Sequence, residues 1–112
     1  MRDDRFRLQD IFEAIERIER YASKGRASFI EQELVQTWII HHIQIIGEAT
    51  SRLSEDLCAK HPEIPWAQIV AMRNILVHEY FGVDLDEIWR TVEQVLPAFK
   101  DQIRALLDEL KG

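Results

Sequence analysis

The sequence has few of the residues that would cross-link it or turn it sharply. Its 112 residues include one cysteine, three prolines and four glycines. The lone cysteine, Cys58, excludes an internal disulfide and indicates a residue that packs within a helix. The shortage of turn-forming residues favours helices, because sheets need many turns.

Long apolar runs and excess positive charge are missing as well. No stretch reaches the apolar length that spans a bilayer, and the first residues lack the apolar core of a signal peptide, so we expect a cytoplasmic protein without membrane contact. The formal net charge is −6 at pH 7. Nucleic-acid binding would therefore need a local basic patch, for which the candidates are Arg52, Lys60, Arg73 and Arg90.

Helical periodicity is the strongest pattern that is present. Between residues 3 and 22, apolar residues recur at three- and four-residue steps, which predicts an outer helix with one buried stripe. Ser28 followed by Glu31 matches a capping box. We therefore predict that a second, long helix begins at Ser28 and continues to about Leu53.

The remaining pattern completes an all-α fold. Ser54 is placed to cap a short helix, and the next helix opens at about Trp66, with an apolar circumference that predicts burial. Asp84 opens a last helix that reaches about residue 110 and should kink near Pro97. The sequence thus predicts a single domain over residues 1–112, an antiparallel bundle of four main helices with or without a short fifth.

The long helix is apolar on two sides. Leu34 and Trp38 fall on one side, while Ile43 and Gly47 fall on the other. Such a helix needs two partners, so it either lies at the centre of the bundle or faces a second copy of the chain. Because Gly47 permits close approach of another helix, we favour a homodimer formed through the Ile43 and Gly47 side.

Neighbouring histidines in the same helix do not form a metal site. His41 and His42 point about 100° apart, so they cannot hold one metal ion as an i, i+4 pair would. We interpret them as partly buried, hydrogen-bonded residues. The sequence predicts neither a metal nor another cofactor.

One short segment concentrates polar residues of catalytic type, since Arg73, Asn74, His78 and Tyr80 stand within eight residues. In the simplest interpretation, they finish a buried helix and pair with its last carbonyls or with a carboxylate. On a helical wheel, Arg73 and Tyr80 share one edge, whereas Asn74 and His78 share another. A working site would therefore need a bend near Gly82 or a second subunit.

The chemical interpretation of this segment is metal-independent RNA cleavage. His78 can move protons to or from the ribose 2′-hydroxyl and the leaving 5′-oxygen. Arg73 can hold the phosphate and stabilise charge in the transition state, while Asn74 orients the imidazole or the substrate. The products would be a 2′,3′-cyclic phosphate and a 5′-hydroxyl, and the single histidine again favours a dimer.

The same residues match a known pattern. Arg73, His78 and Tyr80 fit the motif R-x4-H-x-Y of HEPN-domain proteins of the HepT type. Three flanking segments are similar to that family as well: Ile46-Gly47-Glu48-Ala49, Ile64-Pro65-Trp66 and Tyr80-Phe81-Gly82-Val83-Asp84. The chain resembles these proteins, the toxin halves of HEPN/MNT toxin–antitoxin pairs, from about residue 10 to residue 97.

This resemblance implies an all-α homodimer with its motif at the cleft between subunits, and a ribonuclease that is toxic when unchecked. Arg73 and His78 would be the catalytic pair, and Asn74 the supporting residue. Tyr80 would be the acceptor of AMP, attached by a partner nucleotidyltransferase of the MntA type.

Two other functions fit the sequence less well. The chain could be a non-catalytic subunit that supplies a nucleotide or substrate site to a small nucleotidyltransferase, which suits its acidic net charge. It could also be a purely structural helical dimer. Neither role requires arginine, histidine and tyrosine together.

Overall fold

The computed structural model describes the backbone of residues 3–78 and 84–111, with the side chains at 74–78 and 111 left outside the description. Across these two ranges the regular structure is helical and no β-strand occurs, which confirms the all-α prediction. None of the helices they form has the apolar length needed to cross a membrane.

The described ranges form seven α-helices and one π-helical turn. The elements are α1 (Asp4–Ala22), α2 (Arg26–Glu31), α3 (Glu33–Ser51), α4 (Glu55–Lys60), α5 (Trp66–His78), α6 (Leu85–Arg90), the π turn (Thr91–Val95) and α7 (Leu96–Lys111). The four predicted main helices correspond to α1, α3, α5 and the helix that α6, the π turn and α7 form together. The predicted short fifth helix is α4.

Helix α1 has the predicted buried stripe, in which Leu8, Ile11 and Ile18 are fully buried. Its start is fixed to the far end of α3, because Asp4 accepts hydrogen bonds from the backbone N–H and hydroxyl of Ser54 at 3.0 and 2.6 Å. Helices α1 and α3 therefore run in opposite directions. Ser54 also accepts from the Leu57 N–H at 3.1 Å, which confirms it as the cap of α4.

The prediction of one long helix from Ser28 to Leu53 is wrong. The chain is already helical at Arg26 and breaks at Gln32, whose backbone is extended at φ −113° and ψ 107°. The side chain of Gln36 donates to the carbonyls of Phe29 and Ile30, both at 3.0 Å, and so satisfies the end of α2. Because of this break, α2 folds back and buries Phe29 against Trp89 of α6.

Helix α3 lies at the centre of the bundle, packed between α1 and α5. Ile43 is buried, and a Cβ added at Gly47 would lie 2.7 Å from the Cβ of Arg73 in α5. The close approach that Gly47 permits is thus made within one chain. The prediction that this side of α3 forms the dimer interface is wrong, whereas Leu34 on the other side is 85% exposed.

Helix α5 begins at Trp66, as predicted, and the backbone N–H of Ile69 donates to the carbonyl of Pro65. The prediction that α5 is buried around most of its circumference is wrong for Trp66–Arg73. Ile69 is fully buried there, but Ala67 and Ala71 are exposed. Packing on α3 covers one side of the helix and leaves a second apolar side uncovered.

The last helix contains the irregularity predicted near Pro97. Asp84 caps α6 by accepting from the N–H groups of Asp86 and Glu87 at 3.1 and 3.2 Å. In the following π turn, the N–H of Leu96 donates to the carbonyl of Thr91, five residues earlier. Helix α7 then closes the bundle against α1, with Phe99 buried between them and other core residues.

Candidate active site

The close packing of α3 on α5 sets the position of Arg73. Gly47 carries no side chain, so the backbone of α5 comes down onto α3 at this level. The guanidinium of Arg73 then extends along the surface of α3 toward the end of that helix. It reaches the side chains that stand one and four residues after Gly47.

A carboxylate and a hydroxyl of α3 hold the Arg73 guanidinium. Its Nη1 donates to Oε2 of Glu48 at 2.6 Å and to the hydroxyl of Ser51 at 3.2 Å. The other carboxylate oxygen of Glu48 accepts from Nε of Arg52 at 2.9 Å. One carboxylate therefore bridges two arginines, and we call Glu48, Ser51, Arg52 and Arg73 the arginine cluster.

The arginine cluster lies at the surface, where substrate can reach it. The Arg73 side chain is 31% exposed and that of Glu48 is 47% exposed. Hydrogen bonds from Arg52 and then Arg73 lower the pKa of the Glu48 carboxyl below its ordinary value. Glu48 is therefore a carboxylate near neutral pH, and its charge keeps both guanidinium groups oriented.

The other predicted site residues are described only in part. Asn74 and His78 belong to α5 by their backbone, while the bend that the wheel required near Gly82 falls outside the described residues. Their side chains, and all of Tyr80, lie outside the described residues. The predicted roles of Asn74, His78 and Tyr80 therefore stay predictions.

Two of the four candidate basic residues come together. Arg52 and Arg73 both bind Glu48, whereas Arg90 pairs with Glu87 on α6 at 2.6 Å. Lys60 is the last residue of α4. The local basic patch that the acidic chain would need is thus centred on the arginine cluster.

A groove between α1 and α3 opens beside this cluster. It has a volume of about 320 Å³. Arg7 and Asp10 of α1 line one wall. Residues of α3 and its C-cap line the other, among them His41, Gln44, Glu48 and Arg52. Glu48 and Arg52 belong to both features, so the groove is continuous with the arginine cluster.

His42 is the buried, hydrogen-bonded histidine that was predicted. It is 3% exposed, its Nδ1 lies 2.7 Å from the carbonyl oxygen of Trp38, and its ring stacks on the Trp38 indole. Burial lowers the pKa of His42 below its ordinary value. His41, by contrast, is exposed on the groove side. Among the described side chains, those of residues 3–73 and 84–110, no three of His, Cys, Asp or Glu are grouped to hold a metal ion.

Glu48 and Ser51 are the site residues that the motif did not reveal. One signal was readable, since Glu48 and Arg52 stand four residues apart on a helix and so form a pair. The bond from Glu48 to Arg73 crosses 25 positions of sequence and depends on how α3 packs on α5. Arg7, which lines the groove beside the cluster, was not predicted because it lies on α1, far in sequence from the motif.

Similar proteins carry names that include a ribonuclease. A protein of Thermococcus cleftensis named as a probable ribonuclease HepT is 39% identical over 100 residues, covering 88% of this chain and 91% of its own. A Methanocaldococcus jannaschii protein named as a gamma-glutamylcyclotransferase and candidate RNase is 37% identical over 110 residues, covering 97% of this chain. The present chain spans only 50% of that protein's length.

No solved structure gives a significant match. The family model described as "Ribonuclease HepT-like" matches residues 11–106, which include α3, α5 and the whole R-x4-H-x-Y segment. The chain therefore belongs to the ribonuclease HepT-like family.

Proposed function

We propose that this chain is a metal-independent endoribonuclease, the toxin of a HEPN/MNT toxin–antitoxin pair, acting in the cytoplasm as a homodimer. The observation that carries the proposal is the arginine cluster, in which Glu48 and Ser51 hold Arg73 at an exposed surface. Family membership supplies the reaction class.

The contacts of Arg73 leave it able to bind a phosphate. Both of its hydrogen bonds to described residues depart from Nη1. Among the described residues, the N–H groups on Nη2 and Nε have no acceptor, and a guanidinium edge can bind two oxygens of one phosphate. Because Glu48 fixes the other edge, little orientational freedom is lost when substrate binds.

The reaction is a transesterification within the RNA. The 2′-oxygen forms a bond to phosphorus, its proton passes to a base, the bond to the 5′-oxygen breaks, and that oxygen takes a proton from an acid. His78 serves in one of these steps, Asn74 orients it, and Arg73 stabilises the charge on the phosphate. The motif holds one histidine, so the second proton carrier comes from the partner subunit.

The uncovered side of α5 supports a dimer. Ala67 and Ala71 are exposed, and Val70 is half-buried. These residues occupy the same helix as the motif, within three turns of His78. A second copy packed on this side would bring two R-x4-H-x-Y segments to one cleft, and we propose that arrangement.

Replacing His78 with alanine tests the nuclease. Purified wild-type protein should cleave RNA in the presence of a chelator and leave 2′,3′-cyclic phosphate ends. His78→Ala should lower the rate by about a hundredfold to ten-thousandfold, the usual contribution of general acid–base catalysis. Gel analysis of a labelled RNA measures the cleavage rate, and end-group analysis of the products identifies the 2′,3′-cyclic phosphate.

His61→Ala is the matched histidine control, because His61 lies outside the motif and its ring contacts the carboxylates of Glu63 and Glu109. It should cleave RNA as the wild type does. If His78→Ala cleaves RNA and arrests growth as strongly as the wild type, the nuclease proposal fails. The chain would then be the non-catalytic partner subunit of a nucleotidyltransferase.

We further propose that an MntA-like nucleotidyltransferase neutralises the chain by AMPylation of Tyr80. The phenol oxygen attacks the α-phosphorus of ATP, pyrophosphate leaves, and a base takes the phenol proton. The attached AMP would place a bulky anion beside Arg73. RNA phosphate would then be excluded by occupancy and by charge.

Mass spectrometry tests this modification directly. After incubation with the nucleotidyltransferase and ATP, the peptide containing Tyr80 should gain the mass of one AMP, and RNA cleavage should stop. The sequence has two tyrosines, so the peptide with Tyr21, which packs on Trp38, is an internal control. A Tyr80→Phe variant should still cleave RNA but escape inhibition. Inhibition of that variant by the partner and ATP would contradict the proposal.

A further inference from the structure

The groove between α1 and α3 carries more positive charge than the chain as a whole. The chain has a formal net charge of −6. Around the groove and the adjoining cluster, Arg7, Arg52 and Arg73 stand against Asp10 and Glu48. Glu48 already bridges two of these arginines. The lining of the groove is therefore balanced in charge, and Arg73 at its end leaves one positive charge in excess on an otherwise acidic protein.

Arg7 adds an independent sign that the groove takes a ligand. Its Nε is buried and has no hydrogen-bond acceptor among the residues that the structure describes. A buried N–H donor without a partner is costly, and few are left so in folded proteins. A phosphate in the groove would reach this Nε only if the Arg7 side chain turned toward it, and would then supply the missing acceptor.

The groove is continuous with the arginine cluster. Its wall includes Glu48, whose second oxygen binds Arg73. A strand with its scissile phosphate on Arg73 would therefore continue along α3 past Arg52 toward Arg7. The half-buried Gln44 and exposed His41 line the same path and offer further polar groups.

We propose that this groove holds the RNA backbone next to the scissile phosphate, with Arg7 and Arg52 binding its phosphates. The inference rests on the proposed ribonuclease function and extends it to a substrate-binding track outside the R-x4-H-x-Y motif. RNA is favoured over an acidic protein surface because the groove continues directly from the arginine cluster, where the scissile phosphate is proposed to bind.

Binding of a fluorescently labelled single-stranded RNA, followed by anisotropy over a range of salt concentrations, tests this track. All proteins carry His78→Ala so that binding is measured without cleavage. Arg7→Gln and Arg52→Gln should each weaken binding and reduce the slope of log affinity against log salt by about 0.7, the value for one phosphate contact on a single strand. Arg7→Lys, which keeps the charge, should retain most of the slope.

Arg20→Gln is the matched control, since Arg20 is exposed at the other end of α1. It should bind RNA as the parent does, and thermal melts establish that every variant is folded. If Arg7→Gln binds RNA like Arg20→Gln while the wild type still cleaves, the track is wrong and the nuclease stands. If it weakens only binding to the nucleotidyltransferase, the groove is a protein-docking surface and the proposal is overturned.

The opposite combination of results distinguishes the groove proposal from the ribonuclease proposal. If the wild type does not cleave RNA, but Arg7→Gln and Arg52→Gln still reduce RNA affinity and salt slope, the ribonuclease proposal fails. The groove is then supported as an RNA-binding surface in its own right.

Discussion

Replacing Arg73 with alanine is expected to lower the rate of RNA cleavage by about a hundredfold to a thousandfold, the usual loss when one donor to a developing negative charge is removed. The guanidinium is held on α3 by Glu48 and Ser51, so its remaining donors meet the phosphate already oriented. Single-turnover cleavage of a labelled RNA measures the chemical step without product release.

Stability should hardly change, which separates a role in catalysis from a role in folding. The Arg73 and Glu48 side chains are both partly exposed, and solvent-exposed ion pairs add little to stability. Arg104→Ala is the matched control, because Arg104 pairs with Asp101 on α7. Full cleavage by Arg73→Ala would show that the cluster does not bind the scissile phosphate.

Mixing wild-type and His78→Ala subunits tests whether the site is shared between subunits. If the two proton carriers of one reaction come from the two subunits, a dimer that keeps only one His78 lacks one of them and should cleave RNA as slowly as the His78→Ala homodimer. About half of the wild-type rate after subunit exchange would mean that each subunit works with its own residues.

The second large effect is expected at Gly47. A Cβ there would lie 2.7 Å from the Cβ of Arg73 and 3.3 Å from its backbone nitrogen, so Gly47→Ala must push α3 and α5 apart. Such overpacking costs about 1–3 kcal/mol, and each kcal/mol lowers the melting temperature by roughly 4–8 °C in a domain of this size. Because the displaced residue is Arg73 itself, cleavage should also fall at temperatures where the variant is folded.

Gly25→Ala provides a control of comparable stability. Gly25 has φ +95° and ψ 169°, a conformation nearly restricted to glycine, so a side chain there strains the backbone by about 1–3 kcal/mol, but nothing lies within 4 Å of the added Cβ. Gly25→Ala should therefore lower the melting temperature while cleavage remains normal below it. Equal loss of cleavage in both variants would mean that general destabilisation, and not displacement of Arg73, reduces activity.

Local signals in the sequence predicted the fold well. The caps at Ser54 and Asp84 are bonds between near neighbours, and both are present in the structure. The break at Gln32 was not predicted, because it depends on a Gln36 side chain reaching back to two carbonyls. Helical periodicity does not predict such a bond, because Gln36 fits the pattern of a polar helix residue whether or not its side chain binds those carbonyls.

The motif predicted Arg73 as a candidate site residue, but the residues that hold its guanidinium could not be predicted from the sequence. The support of Arg73 by Glu48 depends on Gly47 admitting α5, and a glycine in a helix does not tell which helix will approach. The same ambiguity led to the wrong prediction of the dimer interface. A glycine at position 47 is needed equally whether the helix packed on it belongs to the same chain or to another subunit.

The order in which the helices pack has a consequence for how quickly the site appears. The bond between Glu48 and Arg73 spans 25 positions, whereas the bond between Glu19 and Lys100, which joins α1 to α7, spans 81. Contacts that are close in sequence form early, and helical bundles fold in microseconds to milliseconds. The loop that brings Glu48 and Arg73 together is shorter than the one that joins α1 to α7, so less conformational entropy is lost when it closes. The arginine cluster is therefore less costly to assemble than the closure of the bundle by α7.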